Sequence, residues 1–233
     1  MTSELAPVLH DLAPAGVLRA AINLANPVLA RPHPTTGELV GVAVTLAREL
    51  ARRLGTPLEL VVFHGAGTIV DAAGTGAWDV AFLAIDPART ARVAFTEPYL
   101  LIEGAYAVPA DSPLWKSADV DRPGVRVAVG AGSAYDLYLT RALQHATLVR
   151  APSAGVVDRF LADGLEVLAG VRPALAELTV HRRALRLLDD SFMTIRQAMC
   201  LGKRRAAGHR YLHDFVQEMK RSGFISRSLA GAG

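Results

Sequence analysis

The run Val80-Ala-Phe-Leu-Ala-Ile85 constrains this chain more than any other stretch. It is unbroken by a polar residue and is bounded by Asp79 on one side and Asp86-Pro87 on the other. A short continuous apolar run of this kind reads as a strand buried on both faces, which requires a sheet with both sides covered. The chain then turns through Asp86-Pro87 and sets Arg89 just past the strand's carboxyl end. In open α/β sheets that edge is where ligands bind. Arginine brings a permanent charge and a planar fork of donors that matches a carboxylate. Two readings stand side by side here: Arg89 anchors a small acid, or it is a surface arginine.

The segments before this run repeat the pattern. Val17 to Leu24 reads as a first strand, followed by a loop from Ala25 to Gly41 rich in Pro, Asn, Thr and Gly. Ala43, Leu46, Ala47, Leu50, Ala51 and Leu54 then recur at helical spacing, with Gly55 as the stop. Leu58 to Phe63 is a second strand, and a turn at 64–67 leads into a short helix. Strand, helix, strand, helix, strand is the signature of a parallel, helix-covered sheet.

A second unit of the same kind follows Pro109. Val125 to Val129 is a strand that runs into Gly130-Ala-Gly-Ser133 and a helix to about His145. Strands at 147–151 and 165–169, short helices at 155–161 and 173–180, and an extended segment at 185–193 complete it. An apolar segment from Phe192 to Leu201 precedes an amphipathic helix at 206–222. Residues 4–15, with two prolines, read as a loose arm or short helix. The length allows one or two domains.

Composition excludes several classes. Half of the residues are apolar and the charged fraction is ordinary, so the chain can bury a core. The net charge is only +3 and the arginines are scattered apart from two short clusters, Arg182-Arg183 and Lys203-Arg204-Arg205. Nucleic-acid binding calls for a clustered basic face, so none is expected. The lone Cys200 rules out an internal disulfide and a cysteine-based zinc site, and reads as a small buried hydrophobe. No stretch reaches the roughly 18 consecutive apolar residues of a membrane span. The start, Met1-Thr-Ser-Glu-Leu-Ala-Pro, is not a signal peptide as it stands.

Other chemistry-bearing features have competing readings. Gly130-Ala-Gly-Ser133 at a helix start suits an anion, and it equally suits plain capping. Its spacing is neither a P-loop nor a dinucleotide fingerprint. His209 and His213 are four apart, but no Glu follows His209, and a pair of histidines falls short of the ligands a metal needs. No metal and no cofactor is expected. No Gly-x-Ser-x-Gly nucleophile elbow is present. Trp78 and Trp115 are read as core residues.

Taken in order, these segments resemble the extracellular solute-binding proteins of ABC transporters, specifically the amino-acid-binding family, solute-binding family 3. The resemblance spans roughly Gly16 to Phe224. It is carried by Gly16-Val-Leu-Arg-Ala-Ala, by the stretch Gly37 to Gly55, by Ala77-Trp-Asp-Val-Ala, by Pro87-Ala-Arg89 and by Val93-Ala-Phe-Thr-Glu-Pro-Tyr99. In the second half it is carried by Val125-Arg-Val-Ala-Val-Gly-Ala-Gly-Ser133 and Gly164-Leu-Glu-Val-Leu-Ala-Gly-Val. Each motif is weak alone, and their order and spacing together are specific.

The resemblance implies an α/β fold of two lobes, periplasmic-binding-protein-like and of type II, with two crossing hinge strands near 102–108 and 187–193. Lobe one would be 1–104 plus 192–233 and lobe two 105–191, closing on a ligand as a hinge. It implies a monomer that binds a small carboxylate, partners an ABC permease and is not an enzyme. It places the protein in the periplasm, with the cytoplasm as the alternative that the N-terminal sequence raises.

The family position of Arg89 grips the ligand carboxylate, and the helix start at Ser133, with Ala134 and Tyr135, donates to it from the other lobe. Ala84 and Asp86 precede the arginine where amino-acid binders carry Ser, Thr or Gly, and this stretch is about two residues shorter. Asn23 and Asn26 stand where an aromatic is often found. The acid that meets the ligand's amino group is missing after Gly164, where the chain reads Gly170-Val-Arg172. A buried ammonium without a counter-charge is costly. The ligand implied is therefore an organic acid or an atypical amino acid, with Arg172 meeting a second polar or anionic group, unless Asp86 serves as a relocated ammonium partner. A cyclohexadienyl or arogenate dehydratase on the same scaffold is the rival reading, with Glu103 or Asp86 as the general acid.

Overall fold

The computed structural model describes residues 2–230. Met1 and residues 231–233, which the expected first lobe includes, lie outside the described residues. The chain divides into two compact units, Met1–Leu100 with Arg196–Gly233, and Leu101–Ile195.

In unit 1, helix α1 (Thr2–Leu12) precedes strand β1 (Leu18–Asn23). A small antiparallel ribbon, β2 (Arg31–Pro32) with β3 (Leu39–Val40), leads to α2 (Val42–Leu54), β4 (Leu58–Phe63), α3 (Ala66–Asp71) and β5 (Val80–Ala84). Strands β1, β4 and β5 are parallel, with β1 between the other two. Every residue of β5 is buried, as its unbroken apolar run requires. Helix α2 buries Ala43, Leu46, Ala47, Leu50, Ala51 and Leu54, the periodic face read from the sequence, together with Val42 and Val44, and ends on Gly55 in the left-handed conformation.

Two long strands belong partly to each unit. β6 (Val93–Pro109) divides at Leu100/Leu101, and β11 (Met193–Gly202) divides at Ile195/Arg196. The division thus falls further along the chain than the 187–193 expected for the second crossing. The apolar run from Phe192 to Leu201 is consequently a strand. Residues 197–201 of β11 pair antiparallel with β5, Gln197 opposite Ala84 and Leu201 opposite Val80. Helices α7 (Ala206–Arg221) and α8 (Phe224–Ala230) finish unit 1.

Unit 2 is built from β7 (Arg126–Gly130), α4 (Ala134–Ala142), β8 (Thr147–Ala151), α5 (Val156–Ala162), β9 (Val167–Val171), α6 (Arg172–His181) and β10 (Leu185–Leu187). β7 lies between parallel neighbours β8 and β9, and the second half of β6 pairs antiparallel with β9 and β10. The alternation of a strand divides its residues between two cores. Val127, Val129, Val167 and Ala169 pack with Leu139 of α4, whereas Ala128 and Leu168 pack with Phe160 and Leu175 of α5 and α6.

The two units share one device. Near the start of β1, Arg19 donates its backbone amide, Nε and Nη2 to the Asp79 carboxylate that precedes β5. At the start of β7, Arg126 donates the same three groups to the Glu166 carboxylate that precedes β9. In each unit an arginine therefore clamps the amino-terminal edge of two neighbouring parallel strands. The Asp79 side chain is fully buried and that of Glu166 is about one-third exposed.

Candidate functional site

The carboxyl edge of unit 1's sheet is formed by the chain just after β1 and β5. Asn23 and Asn26 are both buried, and each folds the backbone onto its own side chain. Asn23 Oδ1 accepts from the Ala25 amide at 3.0 Å, and Asn26 Oδ1 from the Val28 amide at 3.2 Å. These Asx turns reverse the chain beyond β1. After β5, Asp86 does the same, its Oδ1 accepting from the Ala88 amide at 2.9 Å while the Arg89 amide donates to the Asp86 carbonyl at 3.0 Å.

That tight turn folds Arg89 back onto the strand it follows. Its guanidinium Nη1 donates to the Ala84 carbonyl at 2.9 Å, and the residue is only 2% exposed. Of the two readings open for Arg89, that of a surface arginine is therefore excluded. Burial pushes its pKa down, opposed by the nearby Asp86 charge. A desolvated cation gains more from an added negative charge than one in water does.

In unit 2 the turn after β7 is built for close packing. A Cβ on Gly130 would come within 2.7 Å of Ser153 Oγ and 3.3 Å of Tyr135 Oη, and Gly132 has φ +69°. Ser133 is the N-cap of α4, its Oγ accepting from the Asp136 amide at 3.1 Å. Asp136, itself buried, takes the Gly132 amide on Oδ2 and the Arg150 Nε on Oδ1. Capping is therefore present at this helix start. Ala134 and Tyr135 contribute first-turn amides of the kind that helix geometry leaves without an intrahelical acceptor.

Arg172 begins α6 in the place where the family's acid was sought. Its charge is engaged within unit 2: it forms an ion pair with Glu103 of β6, and its guanidinium donates to the Leu188 carbonyl at 3.3 Å and the Asp189 carbonyl at 3.1 Å. Glu103 and Arg172 are thus each other's partners, a pairing invisible in a sequence that separates them by 69 positions.

Other residues singled out from the sequence have structural places. Cys200 is wholly buried, which pushes its thiol up to about 12. The Nε2–H of His209 donates to the Phe95 carbonyl at 2.8 Å, so this histidine is engaged with β6 and is not simply solvated. No group of three or more metal-ligating side chains occurs among the described residues. Trp78 is core, with Nε1 donating to the Ile69 carbonyl. Trp115 corrects the expectation of a core residue: it is exposed, and the Arg186 guanidinium lies 4.1 Å from its ring centre. Arg186 is held there by the Ser112 and Leu114 carbonyls, so a surface cation–π contact replaces burial.

Two residues of unit 1 that the sequence did not single out as site residues meet the strand onto which Arg89 folds. Gln197 lies opposite Ala84 in the β5–β11 ladder, and Tyr99 meets Phe82 edge-on at 6.4 Å between ring centres. Both are buried, and both carry a sealed polar atom, Gln197 Oε1 and Tyr99 Oη, without a hydrogen-bond partner among the described residues. The trace of Gln197 in the sequence is a lone amide within an otherwise apolar stretch, Ile195 to Leu201 interrupted also by Arg196. A cavity of about 310 Å³ at the opposite, amino-terminal edge of unit 1 is lined by Gly74, Gly76, Trp78, Arg92, Lys203 and Arg205, none of them a residue expected at the ligand site.

Comparison with known proteins accords with this architecture. The solute receptor for L-cysteine of Neisseria gonorrhoeae superposes with a TM-score of 0.84 at 18% identity, covering 97% of this chain and 93% of that one. A mutant of the arginine-binding protein ArgBP from T. maritima gives 0.81 at 20% identity, covering 95% and 97%. The ancestral amino-acid-binding protein AncCDT-1, a precursor of cyclohexadienyl dehydratase, gives 0.80 at 21% identity, covering 96% and 98%. The fold shared with them is the two-lobed, periplasmic-binding-protein-like one. The sequence pattern of the bacterial extracellular solute-binding proteins, family 3, matches residues 19–230, and the chain belongs to that family.

Proposed function

We propose that this chain binds a small carboxylate-bearing solute, an organic acid or an atypical amino acid, for ABC-type uptake or for sensing. The observation that carries the reading is Arg89, a buried guanidinium folded back onto the carboxyl end of a buried parallel strand. A ligand carboxylate would meet its fork in the bidentate geometry that arginine favours. Within unit 2, the helix start at Ser133, with Ala134 and Tyr135, is itself suited to an anion.

An ordinary α-amino acid is the less favoured ligand. The place where an acid would meet its ammonium holds Arg172, and the carboxylate that Arg172 draws in, Glu103, is already neutralised by it. Solved relatives bind arginine and lysine, so an amino acid with altered ammonium recognition stays within the class. Calorimetric titration of a panel of amino acids and simple carboxylates tests the reading. Carboxylate binding abolished by Arg89→Ala is expected, and tight binding of a common α-amino acid would overturn the preference for acids.

A second reading has one observation in its favour, the likeness to the precursor of a dehydratase. Such an enzyme needs a general acid. Of the two candidates, Glu103 is ion-paired to Arg172 and Asp86 accepts a backbone amide in its own turn. Neither arrangement aims a proton at a substrate. Turnover of prephenate or arogenate would reverse the ranking.

A further inference from the structure

Two of the three sealed side-chain atoms of unit 1 that lack a partner among the described residues, Gln197 Oε1 and Tyr99 Oη, belong to residues that meet β5; the third is Thr56 Oγ1, ahead of β4. In an antiparallel ladder, directly opposed residues project to the same face, so Gln197 shares a face with Ala84. Phe82, two residues before Ala84, shares it too, and Tyr99 packs edge-on against Phe82. The Ala84 carbonyl accepts from the Arg89 guanidinium. Arg89 and Gln197 therefore both meet Ala84, the first through its carbonyl and the second across the ladder, and the Tyr99 ring meets Phe82 two residues before it.

Buried polar atoms in native proteins are almost always paired, and each exception calls for a reason. Two exceptions on residues packed along the strand end that a buried guanidinium folds onto match the composition of a small-molecule site: apolar walls with a few polar groups. We propose that Gln197 is a specificity-determining ligand contact, its Oε1 accepting a hydrogen bond from a neutral donor, such as a hydroxyl, on the carboxylate-bearing solute. The inference rests on the reading that Arg89 holds that carboxylate. A carboxamide oxygen is an acceptor without charge. It satisfies a hydroxyl fully, yet leaves a buried ammonium without a counter-ion. The substrate class indicated is the hydroxycarboxylates.

Matched ligands isolate the one group concerned. Propionate, lactate and alanine differ only in carrying hydrogen, hydroxyl or ammonium at the second carbon, and valerate, 2-hydroxyvalerate and norvaline repeat the series on a longer chain. Each is titrated calorimetrically into the wild-type protein, Gln197→Met and Arg89→Ala. The expected result is hydroxy acid bound at least tenfold more tightly than the unsubstituted acid by the wild type. Gln197→Met should bring the two within about threefold while leaving the unsubstituted acid unchanged, as loss of one hydrogen bond predicts. Arg89→Ala should weaken all of them.

Gln197→Met should also melt at or above the wild-type temperature, because it removes a sealed, unpaired oxygen at nearly constant volume. If it melts lower and weakens both acids equally, Gln197 is structural and the inference fails. Gln197→Leu provides the same test should the methionine variant fail to fold. If the acids bind with dependence on Arg89 but without discrimination by Gln197, the inference falls and the carboxylate reading stands. If no carboxylate binds, or binding ignores Arg89, both fall.

Discussion

Unit 1 holds two arginines at opposite edges of one sheet, and they are solvated by the protein in opposite ways. At the amino-terminal edge, Arg19 faces a wholly buried carboxylate. Asp79 takes its amide, Nε and Nη2, Arg205 lies 3.5 Å from the same carboxylate, and Arg19 Nη1 reaches the Gly76 carbonyl. The Asp79 hydrogen bond raises the Arg19 pKa. At the carboxyl edge, burial lowers the pKa of Arg89, and the sealed polar atoms of Tyr99 and Gln197 belong to residues that meet the same strand. A clamped pair holds strands together, whereas a desolvated cation gains more from an added negative charge than a solvated one does. The first edge serves stability, and the second is the one proposed to bind.

That contrast can be broken by experiment. The largest effect is expected from Asp79→Asn, which removes the buried counter-charge of the half-buried Arg19 and Arg205. Breaking a buried pair costs about 3–5 kcal/mol, and for a chain of this size each kcal/mol moves the Tm by about 2–4 °C. Calorimetry should therefore find a fall on the order of 10 °C, and a fall of only a degree or two would deny the edge its structural role.

Arg89→Ala should do the reverse. Removing one partner of a buried charge pair costs about 2–5 kcal/mol of binding, so carboxylate affinity should fall by roughly a hundredfold, with a fall in melting temperature smaller than that of Asp79→Asn. Unfolding of Arg89→Ala comparable to that of Asp79→Asn would erase the distinction between the two edges.

The clamp of unit 2 sharpens the comparison, because it has the same geometry with more exposure. Glu166→Gln is expected to cost no more than about 1 kcal/mol, as exposed pairs do, read by chemical denaturation beside Asp79→Asn. Equal losses from the two would show that burial is not what separates them.

The smallest effect is set by pH. Arg52 and then Arg53 hold the Glu49 carboxyl down to about 2 from its ordinary 4.5. A carboxyl depressed in the folded state contributes stability above its unfolded pKa and loses it as pH falls through the folded one. Glu49→Gln should melt about a degree lower than wild type at neutral pH, and the gap should close between about pH 4.5 and pH 2. A gap that persists at pH 2 would assign the loss to packing instead.

The run 80–85 announced a doubly covered strand because no alternation is possible where both faces are buried. The helix α2 face and its glycine stop were equally local, as was the serine cap of α4. Arg89 was legible as a candidate because its position follows from strand and turn alone. The contacts that define its surroundings were not. Gln197 is more than a hundred residues from Ala84, and only ladder register brings it opposite. Trp115 was misread because apolarity says nothing of the arginine that covers it. Arg172 offered a free cation in the sequence, and Glu103 uses that charge in the folded chain.

The sequence alone therefore determined the order of strands and helices, the family to which the chain belongs and the arginine at the carboxyl edge of the sheet, since each depends on periodicity, turn chemistry or neighbours in the chain. Only tertiary structure decided which charges are already neutralised and which polar atoms are sealed without a partner. Those properties depend on burial and on residues far apart in sequence, and burial sets whether a charge or a carboxamide serves the fold or waits for a ligand.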